Sequence, residues 1–262
     1  MRAVLRPWEL ITDPVFHGTD LLPDSGPAVF VGNHTIFGLL DLPLLIAHVH
    51  RERGLFLRGL GDHAHFKVPL WGSFLRRYGA VDGTRENARE LLRQGEPVLV
   101  LPGGGREVAK RKGERYELIW KERMGFARLA IEAGCPVVPF GAVGAEETYD
   151  IVADADSALL APVRAAVERL GGRTELLWPL ARGFAGTPLP RPERFYFAFG
   201  EPIETTRYRG RHEDGRAVRG LRDRTERAVE GRVKFLLEQR EQDPERNIAL
   251  RTAKKMVRGL VP

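Results

Sequence analysis

The sequence contains a single cysteine, Cys135, among 262 residues. One cysteine excludes an intramolecular disulfide framework and favours a reducing compartment, so we expect a cytoplasmic protein. The chain also lacks the roughly 18 uninterrupted apolar residues that a membrane-spanning helix needs. The nearest stretch, residues 36–47, is short and contains Asp41 and Pro43. We therefore expect a protein that does not cross a membrane.

Other absences narrow the function. The first residues, MRAVLRPW, contain no apolar core of a secretion signal, so export is not expected. There is no Gly-x-Ser-x-Gly sequence, which argues against a serine hydrolase. The net charge of +6 is compatible with an anionic bilayer, an acidic substrate or nucleic acid. Because the arginines are scattered among glutamates without an aromatic and basic binding motif, nucleic acid is not the expected partner.

Short apolar runs bounded by glycine or proline predict buried strands. They cover residues 28–31, 97–101, 136–140 and 194–199. Residues 85–94 and 122–133 have the apolar spacing of helices. This alternation predicts an α/β fold with a mostly parallel or mixed central sheet that is flanked by helices.

The length suits one domain over residues 1–262, with a core at about 26–203 and a helical extension at about 213–262. Residues 153–193 predict a helix and then a long irregular connection, because RGFAGTPLPRPER is rich in proline and glycine. The final stretch, NIALRTAKKMVRGLVP, is basic. It fits either a solvated terminal helix or a segment that lies on a membrane.

One histidine follows the first predicted strand, where open α/β sheets bind their ligands. His34 comes three residues after the strand at 28–31, and an imidazole there is well placed for proton transfer. Asp41 could partner it only across a non-helical segment, since one continuous helix would separate the two side chains by about 10 Å. Alternatively, Asp41 caps a helix over residues 42–50 with Pro43 in its first turn, and His34 is a hydrogen-bonded turn residue.

A glycine run follows the second predicted strand, in LPGGGRE at 101–107. Its backbone N–H groups could form an anion cradle, although a tight turn explains the same glycines equally well. The run lacks the Gly-Lys-Ser/Thr ending of an ATP-binding loop. A further passage, GAVDGTRE, places Arg85 near a helix start. There it could bind a phosphate or carboxylate, or simply be exposed.

The order and spacing of these segments, from about Gly26 to Ile203, resemble the glycerophospholipid acyltransferase superfamily. Asn33-His34 with Asp41 resembles its catalytic motif, and Gly79-Ala80-Val81 through Arg85 resembles its acceptor-binding block. LPGGGRE resembles the Phe-Pro-Glu-Gly-Thr-Arg block, and Val137-Val138-Pro139 resembles the fourth block. The stretches GDHAHFKVPLWGSFLRRYGAVDGTREN and IWKERMGFARLAIEAGCPVVP are similar to the branch of diacylglycerol-acyltransferase-like proteins and plant phytyl ester synthases.

The resemblance implies an O-acyltransferase in which His34 is the general base and Asp41 orients the imidazole. The acyl donor would be acyl-CoA or acyl carrier protein, and neither a metal nor a bound redox cofactor is implied. Substrate contacts are expected from Asn33, His63, Arg85, Gly103, Gly104, Gly105, Arg106 and Glu107. The glycine N–H groups would stabilise an oxyanion or hold a phosphate.

The chain departs from the superfamily pattern at two points. Six residues separate His34 from Asp41 where four are usual, and Gly103 replaces the usual glutamate of the third block. The second departure argues against a lysophosphatidic acid acceptor, although Glu107 could replace part of the missing contact. Lysophospholipids, acylglycerols and long-chain alcohols all fit as acceptors.

Apolar neighbours of His34 suit a lipid substrate. They are Ile36, Phe37, Leu39 and Leu40, which could wall an acyl chain or simply pack in the core. A lipid product must return to a bilayer, so we expect peripheral attachment to the inner, cytoplasmic face of a membrane.

Two other functions remain open. Water could replace the alcohol, which would make the protein a hydrolase of acyl thioesters or esters, or the protein could be a non-catalytic membrane binder. His63 and His65 could suggest a metal pair, but no third ligand is evident. Nothing in the sequence indicates an oligomeric state.

Overall fold

Strands and helices alternate along the chain, which this computed structural model describes for residues 2–38 and 40–253. The strands are β1 (Val15–His17), β2 (Val29–Gly32), β3 (Arg58–Gly61), β4 (Val81–Asp82), β5 (Val98–Val100), β6 (Val137–Val143), β7 (Asp150–Ala153), β8 (Leu180–Arg182) and β9 (Tyr196–Phe199). The helices are α1 (Arg2–Thr12), α2 (Leu42–Arg53), α3 (His63–Lys67), α4 (Trp71–Arg77), α5 (Arg85–Arg93), α6 (Gly104–Val108), α7 (Gly125–Ala133), α8 (Ala161–Arg169) and α9 (Gly215–Gln242).

Seven strands form the central sheet in the order β1-β9-β6-β2-β5-β3-β4. The five strands from β6 to β4 are parallel, with Val29 of β2 opposite Val98 of β5 and Val137 of β6. Strand β9 is antiparallel to β6, and β1 runs parallel to β9. The predicted mixed sheet is confirmed, and the carboxyl ends of its five parallel strands meet at one edge.

Both faces of this sheet are buried, which explains why the sequences of its strands are continuous apolar runs. Strand β2 alternates sides, with Val29 and Val31 in one cluster and Phe30 in the other. Helices α5, α7 and α9 cover the first face, and α2 covers the second. The result is a three-layer arrangement with the sheet in the middle.

The four strands and the helices predicted from apolar patterns are present, with boundaries shifted by one to three residues. The helix expected at 122–133 begins at Gly125, and the helix expected at 42–50 continues to Arg53. The segment predicted as a helix with an irregular connection contains α8 and, in addition, β8, which pairs with β7 just before the segment to form a two-stranded sheet. The passage GAVDGTRE contains the short strand β4 just before α5, whereas strands β1 and β3 and helices α1, α3, α4 and α6 carried no recognised signal.

The C-terminal extension begins with α9, in which the buried residues from Val218 to Leu236 are spaced by three or four. Asp214 caps the helix by accepting hydrogen bonds from the N–H groups of Arg216 and Ala217. Beyond it, the buried Arg251 donates a hydrogen bond to the carbonyl of Ile11 at the end of α1. The rest of the basic tail, residues 254–262, lies outside the described residues. In the described part of the chain, no helix is both long and apolar enough to span a bilayer.

Candidate active site

Asn33 anchors the loop that follows the central strand β2. Its side chain is buried and donates to the carbonyl of Ala142 at 2.9 Å, and it accepts from the N–H of the same residue at 2.8 Å. These bonds tie the loop to the neighbouring strand β6. The structure therefore gives Asn33 a structural partner inside the protein.

His34 lies directly beyond this anchor, at the carboxyl edge of the sheet. Its ring lies against Gly38, where a Cβ would be only 2.1 Å from Cε1 of the imidazole. The residue is partly exposed, but its Nδ1 is buried and has no hydrogen-bond partner among the described residues. Burial, with smaller contributions from Lys110 and His65, lowers the pKa of His34 to about 3. The imidazole is therefore in its neutral form, which can accept a proton, although burial also makes it a weaker base.

Asp41 is engaged by its own loop. Its Oδ2 accepts a 2.9 Å hydrogen bond from the hydroxyl of Thr35, and its Oδ1 accepts one of 2.9 Å from the N–H of Leu42. Asp41 thereby caps α2, as one of the two interpretations of the sequence held. Burial raises its pKa, although these hydrogen bonds oppose the increase. In the described chain no hydrogen bond joins Asp41 to His34, and the orienting role of Asp41 stays a prediction.

The glycine loop follows β5 and leads into α6. Gly104 has φ +50°, in the left-handed region that favours glycine, and its N–H donates to the carbonyl of Leu101. Arg123 donates to the carbonyls of Pro102, at 2.9 Å, and Gly103. Arg123, which lies outside the loop and was not predicted from the sequence, therefore holds the loop in place.

The side chains of the two charged residues of this block point into the protein interior. Arg106 is buried and pairs with Glu114. Glu107 is fully buried, and a Cβ on Gly103 would overlap its carboxylate. That carboxylate lies near the backbone N–H groups of His34 and Ile119, but neither oxygen makes a hydrogen bond of ordinary geometry. Burial raises the pKa of Glu107 to about 7, while Lys110 opposes the increase.

Lys110 and Glu146 form a buried ion pair that sequence reasoning missed. Their charged atoms are 3.0 Å apart, and each side chain is only 2% exposed. Lys110 also donates to the carbonyls of Glu114 and Glu117. Lys110 acts electrostatically on both His34 and Glu107, so this buried pair belongs to the surroundings of His34. Glu146 is a charged residue just after the buried strand β6, at the edge where α/β sheets bind ligands. This position could have identified it from the sequence.

His63 and Arg85 lie farther along the same edge, and both are exposed. Nδ1 of His63 is 2.6 Å from Oδ2 of Asp82, and Arg85 is the first residue of α5. His65, considered above only as a metal ligand, is the histidine close enough to influence His34. Across residues 2–38 and 40–253, no three histidine, cysteine or acidic side chains converge as metal ligands would.

Aromatic side chains surround Phe37, in the loop that carries His34. The ring of Phe37 is 5.1 Å from that of Tyr149 and 5.0 Å from that of Trp178. Ile36 is buried in the core, the carbonyl of Leu40 accepts a hydrogen bond from Trp8, and Leu39 lies outside the described residues. Of the predicted apolar wall, Phe37 is therefore the member that meets the irregular segment after α8.

Comparison with known proteins agrees with this geometry. Residues 13–143, half of the chain, match the family model described as Acyltransferase. The chain belongs to the Acyltransferase family. This confirms the predicted membership of the glycerophospholipid acyltransferase superfamily.

Relatives of this Acyltransferase family member include plant and animal lipid enzymes. Phytyl ester synthase 1, chloroplastic, from Arabidopsis thaliana is 32% identical over 87% of this chain and 34% of that protein. The DGAT1/2-independent enzyme synthesizing storage lipids from Homo sapiens is 35% identical over 47% of this chain and 37% of that protein. The chain spans about a third of the length of these curated relatives.

A solved structure confirms the fold class. The crystal structure of the 1-acyl-sn-glycerophosphate acyltransferase from Thermotoga maritima matches with a TM-score of 0.50 and 17% identity. The match covers 88% of this chain and 80% of that one. At this identity the likeness concerns the fold, namely a mixed seven-stranded sheet flanked by helices.

Proposed function

We propose that the protein transfers a fatty acyl group from an acyl thioester to the hydroxyl group of a lipid acceptor. The observation that carries this proposal is a neutral, partly exposed His34 at the carboxyl end of the central strand of an Acyltransferase-family fold. The thioester is acyl-CoA or an acyl group bound to acyl carrier protein, and its carbonyl carbon is already reactive. The protein's task is then to position the reactants and to move one proton.

His34 removes the proton from the acceptor hydroxyl as its oxygen attacks the thioester carbonyl. The tetrahedral oxyanion collapses, the carbon–sulfur bond breaks, and the imidazolium returns the proton to the leaving thiolate. The products are an ester and a free thiol, so His34 ends the cycle neutral. A positioned base contributes about 10² to 10⁴ in rate.

Backbone N–H groups at Gly103 and Gly105 are the proposed oxyanion donors. The N–H of Gly104 is already used within the loop, and Arg123 holds the adjoining carbonyls in place. Donors fixed in this way stabilise developing negative charge without having to reorganise. Asp41 fixes the path of the catalytic loop through its hydrogen bonds to Thr35 and Leu42.

The acceptor we favour is a lipid with an uncharged hydroxyl-bearing end, such as an acylglycerol or a long-chain alcohol. Arg106 is occupied by Glu114, and Glu107 is fully buried, so neither side chain faces a phosphate at the loop. The relatives, a phytyl ester synthase and an enzyme synthesizing storage lipids, support the same class. A lysophospholipid remains the alternative acceptor, with the exposed Arg85 as its phosphate contact.

The reaction belongs at the inner, cytoplasmic face of a membrane, because its acceptor and product are lipids. The single cysteine and the net positive charge support that location. Peripheral attachment there would let the acceptor reach His34 without crossing water.

An assay with a labelled acyl thioester tests this function. Purified protein is incubated with the thioester and, separately, with an acylglycerol, a long-chain alcohol and a lysophospholipid, and labelled ester is separated from free fatty acid. We expect ester with at least one acceptor. Free fatty acid as the only labelled product would identify a hydrolase. If no thioester were consumed, the result would favour a non-catalytic membrane-binding protein.

A further inference from the structure

The connection between β3 and β4 carries apolar side chains on its outer surface. Residues 63–78 form the short helices α3 and α4, joined by a turn at Leu70. Val68 and Phe74 are large apolar residues with about half of their surface exposed, and Leu70 is 87% exposed. Exposed apolar residues grouped in this way mark an interaction surface more often than singly scattered ones do.

The turn at Leu70 is strained in a way that holds its side chain outward. Leu70 has φ +64° and ψ −49°, and the N–H of Trp71 donates a 2.7 Å hydrogen bond to the carbonyl of Pro69. This is a γ-turn, a rare conformation for a residue with a side chain. Such backbone outliers cluster at binding and switch sites, because some other interaction must compensate for them.

Aromatic rings follow the turn along α4. The rings of Trp71 and Phe74 stack at 5.6 Å, and those of Phe74 and Tyr78 are 4.7 Å apart. Tryptophan and tyrosine combine an apolar ring with a polar atom, and they are enriched where a bilayer meets water. The segment thus places an apolar tip next to a row of interfacial aromatic residues.

The charges of the segment all have one sign. Lys67, Arg76 and Arg77 are exposed, and no aspartate or glutamate occurs from residue 63 to residue 81. Two copies of this surface would repel one another, which argues against self-association. A polynucleotide would leave Val68 and Leu70 in water. An anionic bilayer satisfies both features, since its head groups attract the cations and its acyl region accepts the apolar tip.

The segment also borders the catalytic histidine. Trp71 donates from its indole N–H to Nδ1 of His65 at 3.4 Å. Residues 63–78 follow β3, whose carboxyl end lies at the same edge of the sheet as the end of β2 that leads to His34. A bilayer bound at this segment would therefore lie beside the entrance to His34.

We propose that residues 63–78 form a membrane-docking segment that binds the surface of an anionic bilayer and brings His34 to the lipid acceptor. The delivery of the acceptor rests on the proposed function, whereas the binding of the bilayer does not. The segment inserts Leu70 and Phe74 among the lipids, and Lys67, Arg76 and Arg77 bind the anionic head groups.

Vesicle binding by the full chain tests the docking. The probes are vesicles of phosphatidylcholine alone and vesicles with about one third phosphatidylglycerol. The double variant Leu70→Asp/Phe74→Asp removes the apolar tip, and the triple variant Lys67→Gln/Arg76→Gln/Arg77→Gln removes the charge. Leu170→Asp is the matched control, because Leu170 is also 87% exposed but lies just after α8. Circular dichroism and thermal unfolding verify that each variant is folded.

We expect the wild type to bind the anionic vesicles, the double variant to bind at least about 10-fold more weakly, and the triple variant to lose the preference for phosphatidylglycerol. Leu170→Asp should bind as the wild type does. Wild-type binding by the double variant, or equal weakening by Leu170→Asp, would overturn the proposal.

A second readout separates this proposal from the proposed function. Acyl transfer is measured with an acceptor embedded in anionic vesicles and with a short-chain acceptor dispersed in water. The double variant should lose transfer to the embedded acceptor and keep transfer to the dispersed one. Equal transfer to the embedded acceptor by wild type and double variant would contradict the docking. If the wild type transferred to neither acceptor, the proposed function would fail while the vesicle-binding result would still stand.

Discussion

The hydroxyl of Thr35 donates a 2.9 Å hydrogen bond to Oδ2 of Asp41, and Oδ1 of the same carboxylate accepts the N–H of Leu42. Both oxygens are therefore used inside the loop that carries His34. In this protein Asp41 joins the end of the central strand to the start of α2. The shape of the loop, and with it the position of the imidazole, depends on this carboxylate.

Asp41→Ala should lower stability by about 1 to 2 kcal/mol, because it removes a helix N-cap together with the bond to Thr35. Thr35→Val should reproduce part of the loss, and Asp41→Asn, which keeps one acceptor oxygen, should lose less. Equilibrium denaturation measures all three. Unchanged stability in Asp41→Ala would show that these bonds do not hold the loop.

Gly38→Ala should reduce acyl transfer by about 100-fold or more, because a Cβ would lie 2.1 Å from Cε1 of His34 and displace the ring. Gly134→Ala is the matched control. Gly134 has φ +63°, close to the +60° of Gly38, but a Cβ there meets no atom within 4 Å. Both variants should lose similar stability from backbone strain, and only Gly38→Ala should lose activity. Full activity in Gly38→Ala would mean that the ring position is not decisive.

Glu107→Gln should become more stabilising as pH rises from 5 to 8. Burial raises the pKa of Glu107 from 4.5 to about 7, so between these values the folded protein holds a proton that the unfolded chain has lost. Wild-type stability therefore falls as pH rises through this window, whereas glutamine is neutral throughout. Between pH 5 and pH 8 the stability of Glu107→Gln relative to the wild type should increase by roughly 1 to 3 kcal/mol, as measured by denaturation at both pH values. A difference that is constant with pH would contradict this account.

Lys110→Met should destabilise the protein by about 3 to 5 kcal/mol, because it leaves buried carboxylates without their cation. Lys110 is 3.0 Å from Glu146 and acts on Glu107 as well. Lys112→Met, two residues away at an exposed position, is the control and should cost little. Urea denaturation compares the two variants. Equal losses would show that the buried ion pair does not matter for stability.

The sequence predicted the parts of the fold that depend on local patterns. Strands β2, β5, β6 and β9 are buried apolar runs, and α9 has regular apolar spacing, so each is visible without its neighbours. Strand β3, with the sequence RGLG, is neither an apolar run nor regularly patterned. It forms through its pairing with β5, which no local sequence pattern shows. Helices α3 and α4 were missed because Gly72 is their one fully buried residue, so their apolar side chains form no buried stripe.

The site was predictable only in part, for a similar reason. His34 was found because it follows a strand at the ligand-binding edge. Its surroundings were predicted less well: Lys110 and Glu146 are far apart in the chain and charged residues are usually exposed, and Glu107 was expected to contact substrate, whereas it is fully buried. The spacing from His34 to Asp41 suggested a weak partnership, and the structure explains why: a capped helix start uses the carboxylate.

The central claim is that His34 removes the acceptor's proton, and the most direct test is the rate of ester formation by His34→Ala and His34→Gln at saturating acyl thioester. Thermal unfolding and vesicle binding are measured alongside to verify that both variants are folded. We predict that ester formation falls by about 10² to 10⁴ in both. A folded His34→Ala that forms ester within about threefold of the wild-type rate would contradict the account.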